Sequence, residues 1–348
     1  MIKKLKIGTA FLMVLLLVVV YCYSGSLLRA VSTFTLTTLV LVLFYRTFLF
    51  LNELVRKTNW YHNQFLDSER FVTNSGYRDD LRRNYDIVNL GSNPAKFAFQ
   101  YQDLIGFNWS TGTQSLETDF KILKNYFSYL KEGGTVLIPL LPFSSCFADN
   151  LIKDPSHYAK LYTILDPKLI DNYSSTFVLR YITYPLLSNP LRALYAIFND
   201  VPRDNRLEIS VQLLGKRELE KDAQFWMDLW KEEFHLKDLN APLDKPNAVR
   251  QQHNIYVLKY MIKFCLEREL KPVLIIPPMT KALSSKFSET FKENHIHSFV
   301  REANYKNIPF LNYMDDEQLS NPDLYFNSFF LNANGRKLFT KRVLNDLK

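Results

Sequence analysis

Cysteine is scarce in this 348-residue chain. Cys22 lies in an apolar segment, and Cys146 and Cys265 stand alone, so the spacing makes neither a zinc site nor a disulfide framework. A Cys146–Cys265 bridge is compatible with the sequence, but three buried free thiols are the better reading. There is no Gly-x-Gly-x-x-Gly, no P-loop and no His/Cys cluster, which leaves no signal for a nucleotide, flavin or metal cofactor. His295 and His297 are two apart near a helix end, not at the i, i+4 spacing of a helical metal pair, and read as solvated surface histidines. Acidic residues are nearly missing from residues 1–57, where Glu53 alone opposes Lys3, Lys4, Lys6, Arg29, Arg46, Arg56 and Lys57. That segment carries +6 of the net +8, leaving +2 for the rest of the chain. The excess charge therefore flanks apolar sequence, and no nucleic-acid footprint follows.

What the chain has in quantity is apolar residues, 47% of the total, enough for one sizeable core with appendages. Charge is absent between Lys6 and Arg29, and about 7–23 is long enough to cross a hydrocarbon core of about 30 Å once its flanks are included. Val20-Tyr21-Cys22-Tyr23 offers no small residues for signal cleavage and no lipoprotein box. A second candidate span, about 30–51, is interrupted only by Arg46, which can snorkel from near one end. Two spans joined at Ser24-Gly25-Ser26 make a hairpin that keeps both ends, and the large domain, cytoplasmic; a single span places that domain outside. Residues 1–57 thus read as a membrane anchor, and 58–84 as a linker.

From residue 85 on, strand and helix signals alternate. Asp86 to Leu90 is a short buried-strand run, Gly91-Ser92 a tight turn, and Ala95 to Phe99 the start of a helix. Leu116, Phe120, Leu123, Phe127 and Leu130 recur at helical spacing behind Ser115 as N-cap, with Gly133-Gly134 as the expected C-cap. Thr135 to Pro139 and Lys271 to Ile276 read as central strands, Val257 to Leu266 and Leu283 to Phe291 as helices, Ile308 to Asn312 as a strand and Arg336 to Leu347 as the last helix. Such alternation favours an α/β domain with a mostly parallel sheet, whose carboxyl edge is where ligands bind. About 146–250 interrupts the rhythm with a Tyr-, Leu- and Pro-rich helical insertion, ending in Phe225-Trp226-Met227-Asp228-Leu229-Trp230, expected to pack over that edge. Its aromatics read mainly as core, with stacking on sugar rings as the functional alternative.

Two segments carry a family resemblance. Tyr85 to Phe99 resembles block I, and Tyr325 to Gly335 block V, of the SGNH (GDSL-like) hydrolases and acyltransferases, in particular their membrane-anchored, cell-envelope branch (DltD-like). The order and spacing of Gly91-Ser92, Leu331-Asn332 and Gly335 match, and the landmarks span 85–348. The resemblance implies a three-layer α/β/α, flavodoxin-like fold with a Ser-His-Asp site. In this chain Asn93 stands at the serine position, Asn327 at the aspartate and Phe330 at the histidine, and Leu140 to Ser145 has no amide where the family places an oxyanion donor. Losing nucleophile and base together leaves no route to an acyl-enzyme.

The resemblance therefore implies a membrane-anchored, catalytically inactive binding or scaffolding protein in envelope polysaccharide or teichoic-acid assembly. It would bind an envelope glycan or partner a membrane-bound acyltransferase through Ser92, Asn93, Ser110, Gly112, Asn327 and Ser328, without cofactor, metal or nucleic acid. Ser110 or Gly112 would hold the second oxyanion position. One alternative is an active O-acyltransferase or esterase using Ser92 with His157, His235 or His253. The other is a structural membrane protein with a vestigial cleft.

Overall fold

Five apolar runs form one sheet. They are β1 (Tyr85–Asn89), β2 (Gly106–Asn108), β3 (Leu130–Pro139), β4 (Lys271–Ile276) and β5 (Phe310–Asn312). Their order is β2-β1-β3-β4-β5, and every neighbouring pair is parallel. The computed structural model describes residues 18–22, 26–61, 83–101, 106–148, 159–200 and 214–348. Most of the first apolar segment, most of the 58–84 linker, and His157 lie outside the described residues.

The longer helices are α1 (Leu27–Arg56), α2 (Leu116–Tyr126), α3 (Pro190–Asn199), α4 (Lys216–Glu233), α5 (Lys245–Leu266), α6 (Ser298–Ala303) and α7 (Ala333–Asp346). Both faces of the sheet are covered, as parallel pairing requires. Val88, Leu90, Val136, Ile138, Leu274 and Ile276 share one core with Ile122 and Leu123 of α2, Leu258 and Ile262 of α5, and Phe299 of α6. The alternate residues Ile87, Leu137, Val273 and Ile275 share the other core with Phe339 and Val343 of α7.

Local chemistry explains most boundaries. Ser115 caps α2 by accepting the Thr118 N–H, and Glu117 and Asp119 in the first turn complement the helix dipole. Asn332 caps α7 by accepting the N–H groups of Asn334 and Gly335. Gly335 is obligatory for packing, because an added Cβ would overlap the Leu324 carbonyl oxygen and lie 2.8 Å from Leu331 Cδ2.

Several expectations change. The helix after Gly91 is a single turn, Asn93–Lys96, because the chain then swings Phe97 into one core and Phe99 into the other. Gly133-Gly134 is not a C-cap: α2 already ends at Tyr126, and both glycines lie within β3. There the register against β1 slips between Tyr85 and Ile87, and Gly133 adopts φ +68°. The helix expected over 283–291 is broken into Lys281–Ser284 and Glu289–Phe291, the latter continuing through a wide turn, Lys292–His297, into α6. His295 is buried rather than solvated, stacked on Phe291 at 4.5 Å. All three cysteines are free, but Cys22 is exposed; Cys146 and Cys265 are buried.

The insertion divides. α4 sends Ala223, Met227 and Trp230 into the core over the sheet edge. Leu161, Ile164 and Leu165 join the main core beside α2, whereas residues 177–197 pack against α1, where Val55, Tyr61, Ala159, Leu186 and Ala193 make a separate core. α1 is 30 residues long, about 45 Å at 1.5 Å per residue, and so outruns a hydrocarbon core of about 30 Å. It is long and apolar enough to cross a membrane. Its surplus turns do the docking: Asn52 Oδ1 accepts the Leu186 N–H at 3.0 Å, and Arg56 donates to the Thr183 carbonyl.

Candidate functional site

A cavity of about 550 Å³ opens at the carboxyl edge of the sheet. It lies where the strand order reverses, since β2 is added on one side of β1 and β3 on the other, and such a crevice binds ligands in open α/β sheets. Gly91, Ser92 and Asn93 after β1, and Pro139 at the end of β3 with Leu141 and Phe143 after it, form its floor. Gly91 sits at φ +106°, and a Cβ there would come within 2.7 Å of Ala95 Cβ and 3.0 Å of Pro139 Cγ. Only glycine makes this turn without displacing its neighbours.

A buried carboxylate pins the turn. Asp119 Oδ1 accepts the Gly91 N–H at 2.8 Å and a bond from the Gln114 amide. Gln114 Oε1 in turn accepts from Thr111 N and Oγ1, both at 2.7 Å. Ser92 Oγ accepts the Gln114 N–H at 3.2 Å. Beneath the turn, Asn89 Nδ2 donates to Asn108 Oδ1 at 2.8 Å and to Ser110 Oγ at 3.3 Å, and the Tyr101 hydroxyl donates to Asn89 Oδ1 at 3.0 Å. Burial pushes the Tyr101 phenol well above its ordinary value. The loop after β3 is held from α5, where the Asn254 amide donates to the carbonyls of Ser144, Ser145 and Phe147 at 2.8–3.0 Å.

One wall is aromatic. Phe330 stacks on Phe97 at 5.1 Å and 25°, on Phe329 at 5.3 Å, and edge-on to Trp226 at 5.4 Å. Trp226 and Trp230, one helical turn apart on α4, line the same space with Phe143 and Phe234. The Trp226 indole N–H is buried and has no acceptor among the described residues. The polar lining includes Glu232 and Glu233 at the end of α4, His235 just beyond it, and the buried Asp119. Burial raises the Glu233 carboxyl above its ordinary value. Among the described residues there is no group of three His, Cys, Asp or Glu able to hold a metal ion.

Of the residues singled out from sequence, Ser92, Asn93 and Phe330 line the cavity. Gly112 packs beside Asn93, whose Oδ1 would lie 3.0 Å from a Cβ at Gly112. Ser110 is fully buried in the asparagine network. Asn327 and Ser328 are not in the lining. Asn327 Oδ1 accepts the N–H groups of Phe329 (2.9 Å) and Phe330 (2.6 Å), and the Ser328 N–H donates to Asp222 at 2.8 Å. These bonds shape the loop that presents Phe329 and Phe330. His253 is paired with Glu117 at 2.7 Å; His235 lines the cavity.

Sequence reasoning missed Asp119, Gln114, Glu232 and Glu233; of the three histidines it offered as a base for Ser92, His235 is the one that lines the cavity. The spacing of Trp226, Trp230 and Glu233 at i, i+4 and i+7 was the available signal, since it places all three on one helical face.

No family model matches the chain, and no curated protein matches it in sequence. The class defined by fold and site is an α/β protein with a five-stranded all-parallel sheet, a cavity at its carboxyl edge, and an N-terminal helix able to cross a membrane.

Proposed function

We propose that this chain is a membrane-anchored protein of the SGNH-like three-layer fold that binds an envelope glycan without cleaving it. The observation that carries the reading is Phe330. It lies in the same cavity as Ser92 and Asn93, stacked among Phe97, Phe329 and Trp226, where a hydrolase of that pattern needs a base. A phenyl ring accepts no proton, and Asn93 offers a carboxamide in place of an activated hydroxyl.

The lining favours a type of ligand. Tryptophan faces stack on sugar rings, and Glu232 and Glu233 accept hydrogen bonds from hydroxyl or amine groups. The same carboxylates repel phosphate, so neutral or amine-bearing sugars fit better than a bare polyanionic polymer. The test is a fluorescence titration of the full chain in detergent with neutral oligosaccharides. Trp226→Ala is expected to weaken binding by about 2- to 12-fold, the equivalent of one aromatic contact of roughly 0.5–1.5 kcal/mol. Turnover of an acyl or glycosyl ester that Ser92→Ala abolishes would overturn the proposal.

A second reading, an esterase or acyltransferase working through Ser92, draws on His235, which shares the cavity. A fluorophosphonate adduct at Ser92 that is lost in His235→Ala would establish it in place of the first.

A further inference from the structure

Helix α3 carries apolar residues on two opposite faces. Ala193 and Ala196 are buried, and Leu194 and Ile197 pack into the core shared with α1. On the outward side Leu191 is 83% exposed, Tyr195 55% and Phe198 80%. Leu191, Tyr195 and Phe198 follow each other at i, i+4 and i+7, so they form one stripe. Leu187 and Leu179, in the short turns that precede α3, are further exposed apolar residues. Arg192 lies over the Tyr195 ring at 5.2 Å and Arg180 over Tyr181 at 5.7 Å, placing cations beside the stripe.

The position of α3 along α1 says what covers the stripe. Starting at Leu28, a hydrocarbon core of about 30 Å takes about 20 residues of helix, which ends it near Thr47. The residues of α1 in the core it shares with α3 are Phe48, Leu51 and Val55, which begin there and continue for about 10 Å at 1.5 Å per residue. That is the depth at which interfacial helices lie. Arg46, Arg56 and Lys57 surround the same level, where basic groups meet lipid headgroups.

The geometry points to α3 as a second membrane contact: a foot lying in the bilayer interface, its Leu191, Tyr195 and Phe198 side chains inserted among acyl chains beside the exit of α1. This rests on the reading of α1 as a membrane span. A transmembrane helix alone leaves the domain free to swivel about one point. Two contacts hold it at one orientation to the bilayer.

The test uses the full chain reconstituted in vesicles of phosphatidylcholine and phosphatidylglycerol, with or without bromine on the acyl chains. Phe198→Trp and Leu191→Trp each add one indole to the four native tryptophans. The added emission is expected to fall by at least half in brominated vesicles. Emission that bromine leaves unchanged, in protein that still floats with the vesicles, overturns the foot while leaving the anchor intact; a stripe covered by a second copy or by a partner protein gives this result. A wild-type chain that fails to float overturns the anchor, and the foot with it.

Discussion

Replacing Gly335 by alanine tests whether the chain's last landmark is a packing device. The new Cβ would overlap the Leu324 carbonyl oxygen and stand 3.1 Å from its carbonyl carbon, whereas carbon and carbonyl oxygen ordinarily meet at about 3.3–3.6 Å. The obstacle is backbone, which cannot swing aside as a side chain does. Leu324 O also accepts the Asn332 N–H at 2.8 Å, so moving it opens the loop that carries Phe329 and Phe330. Overpacking at about 1–3 kcal/mol and a lost hydrogen bond at about 1 kcal/mol give a destabilisation of about 2–4 kcal/mol. In a domain of this size that lowers Tm by about 4–16 °C, read by near-UV circular dichroism on the full chain in detergent. Gly133→Ala is the internal comparison. Gly133 has φ +68° but nothing nearer to an added Cβ than Lys271 Cε at 4.0 Å, so it carries only left-handed strain, about 1–2 kcal/mol. A Gly335→Ala protein that melts no lower than Gly133→Ala would refute the close approach.

Three other outcomes are expected. Burial holds the His295 imidazole below its ordinary value, with a weaker opposing pull from its bond to the Leu239 carbonyl; as pH falls, the unfolded chain therefore takes the proton first. His295 leaves stability intact above about pH 6.5 and erodes it between there and its folded pKa, and His295→Phe should flatten the fall in Tm between pH 7.5 and 5. Asn52→Leu leaves the Leu186 N–H without its acceptor, a cost of about 1–3 kcal/mol, and protease should then cut residues 177–199 faster while the sheet domain resists as before. A thiol reagent should reach Cys146 and Cys265 only after denaturation, because both are buried; burial pushes the Cys265 thiol up to about 12 and raises that of Cys146.

The sheet was legible where local signals and tertiary packing agree. Gly91 ends β1 because the turn needs positive φ and no side chain, and Ser115 reads as a cap because it is one. Gly133-Gly134 misled, because two glycines read equally well as a helix stop and as an irregular strand entry; only the register against Tyr85 separates them. The cavity was half legible. Ser92, Asn93 and Phe330 could be placed at one edge by analogy of order and spacing, and His235 named as one of three candidate histidines, but Glu232 and Glu233 arrive from more than 140 residues further on than Gly91. No local pattern encodes which end of an insertion folds back over a sheet. The same holds for the division of 146–250 between cavity and α1, which depends on Ala193 and Leu186 sharing a core with Val55.

The covering of one sheet face by α7 has a consequence for synthesis. Ile87, Leu137, Val273 and Ile275 have all been translated by residue 276, yet Phe339 and Val343, which cover them, lie at the far end of the chain. At about 5–20 residues per second, the 70 residues from Ile276 to Asp346 take about 4–14 s. Through that interval the nascent domain exposes an unfinished greasy surface, long after α1, itself long and apolar enough to cross a membrane, has been made. A ribosome that stops short of α7 would release a chain with its sheet built but one face unable to close, a ready substrate for quality control.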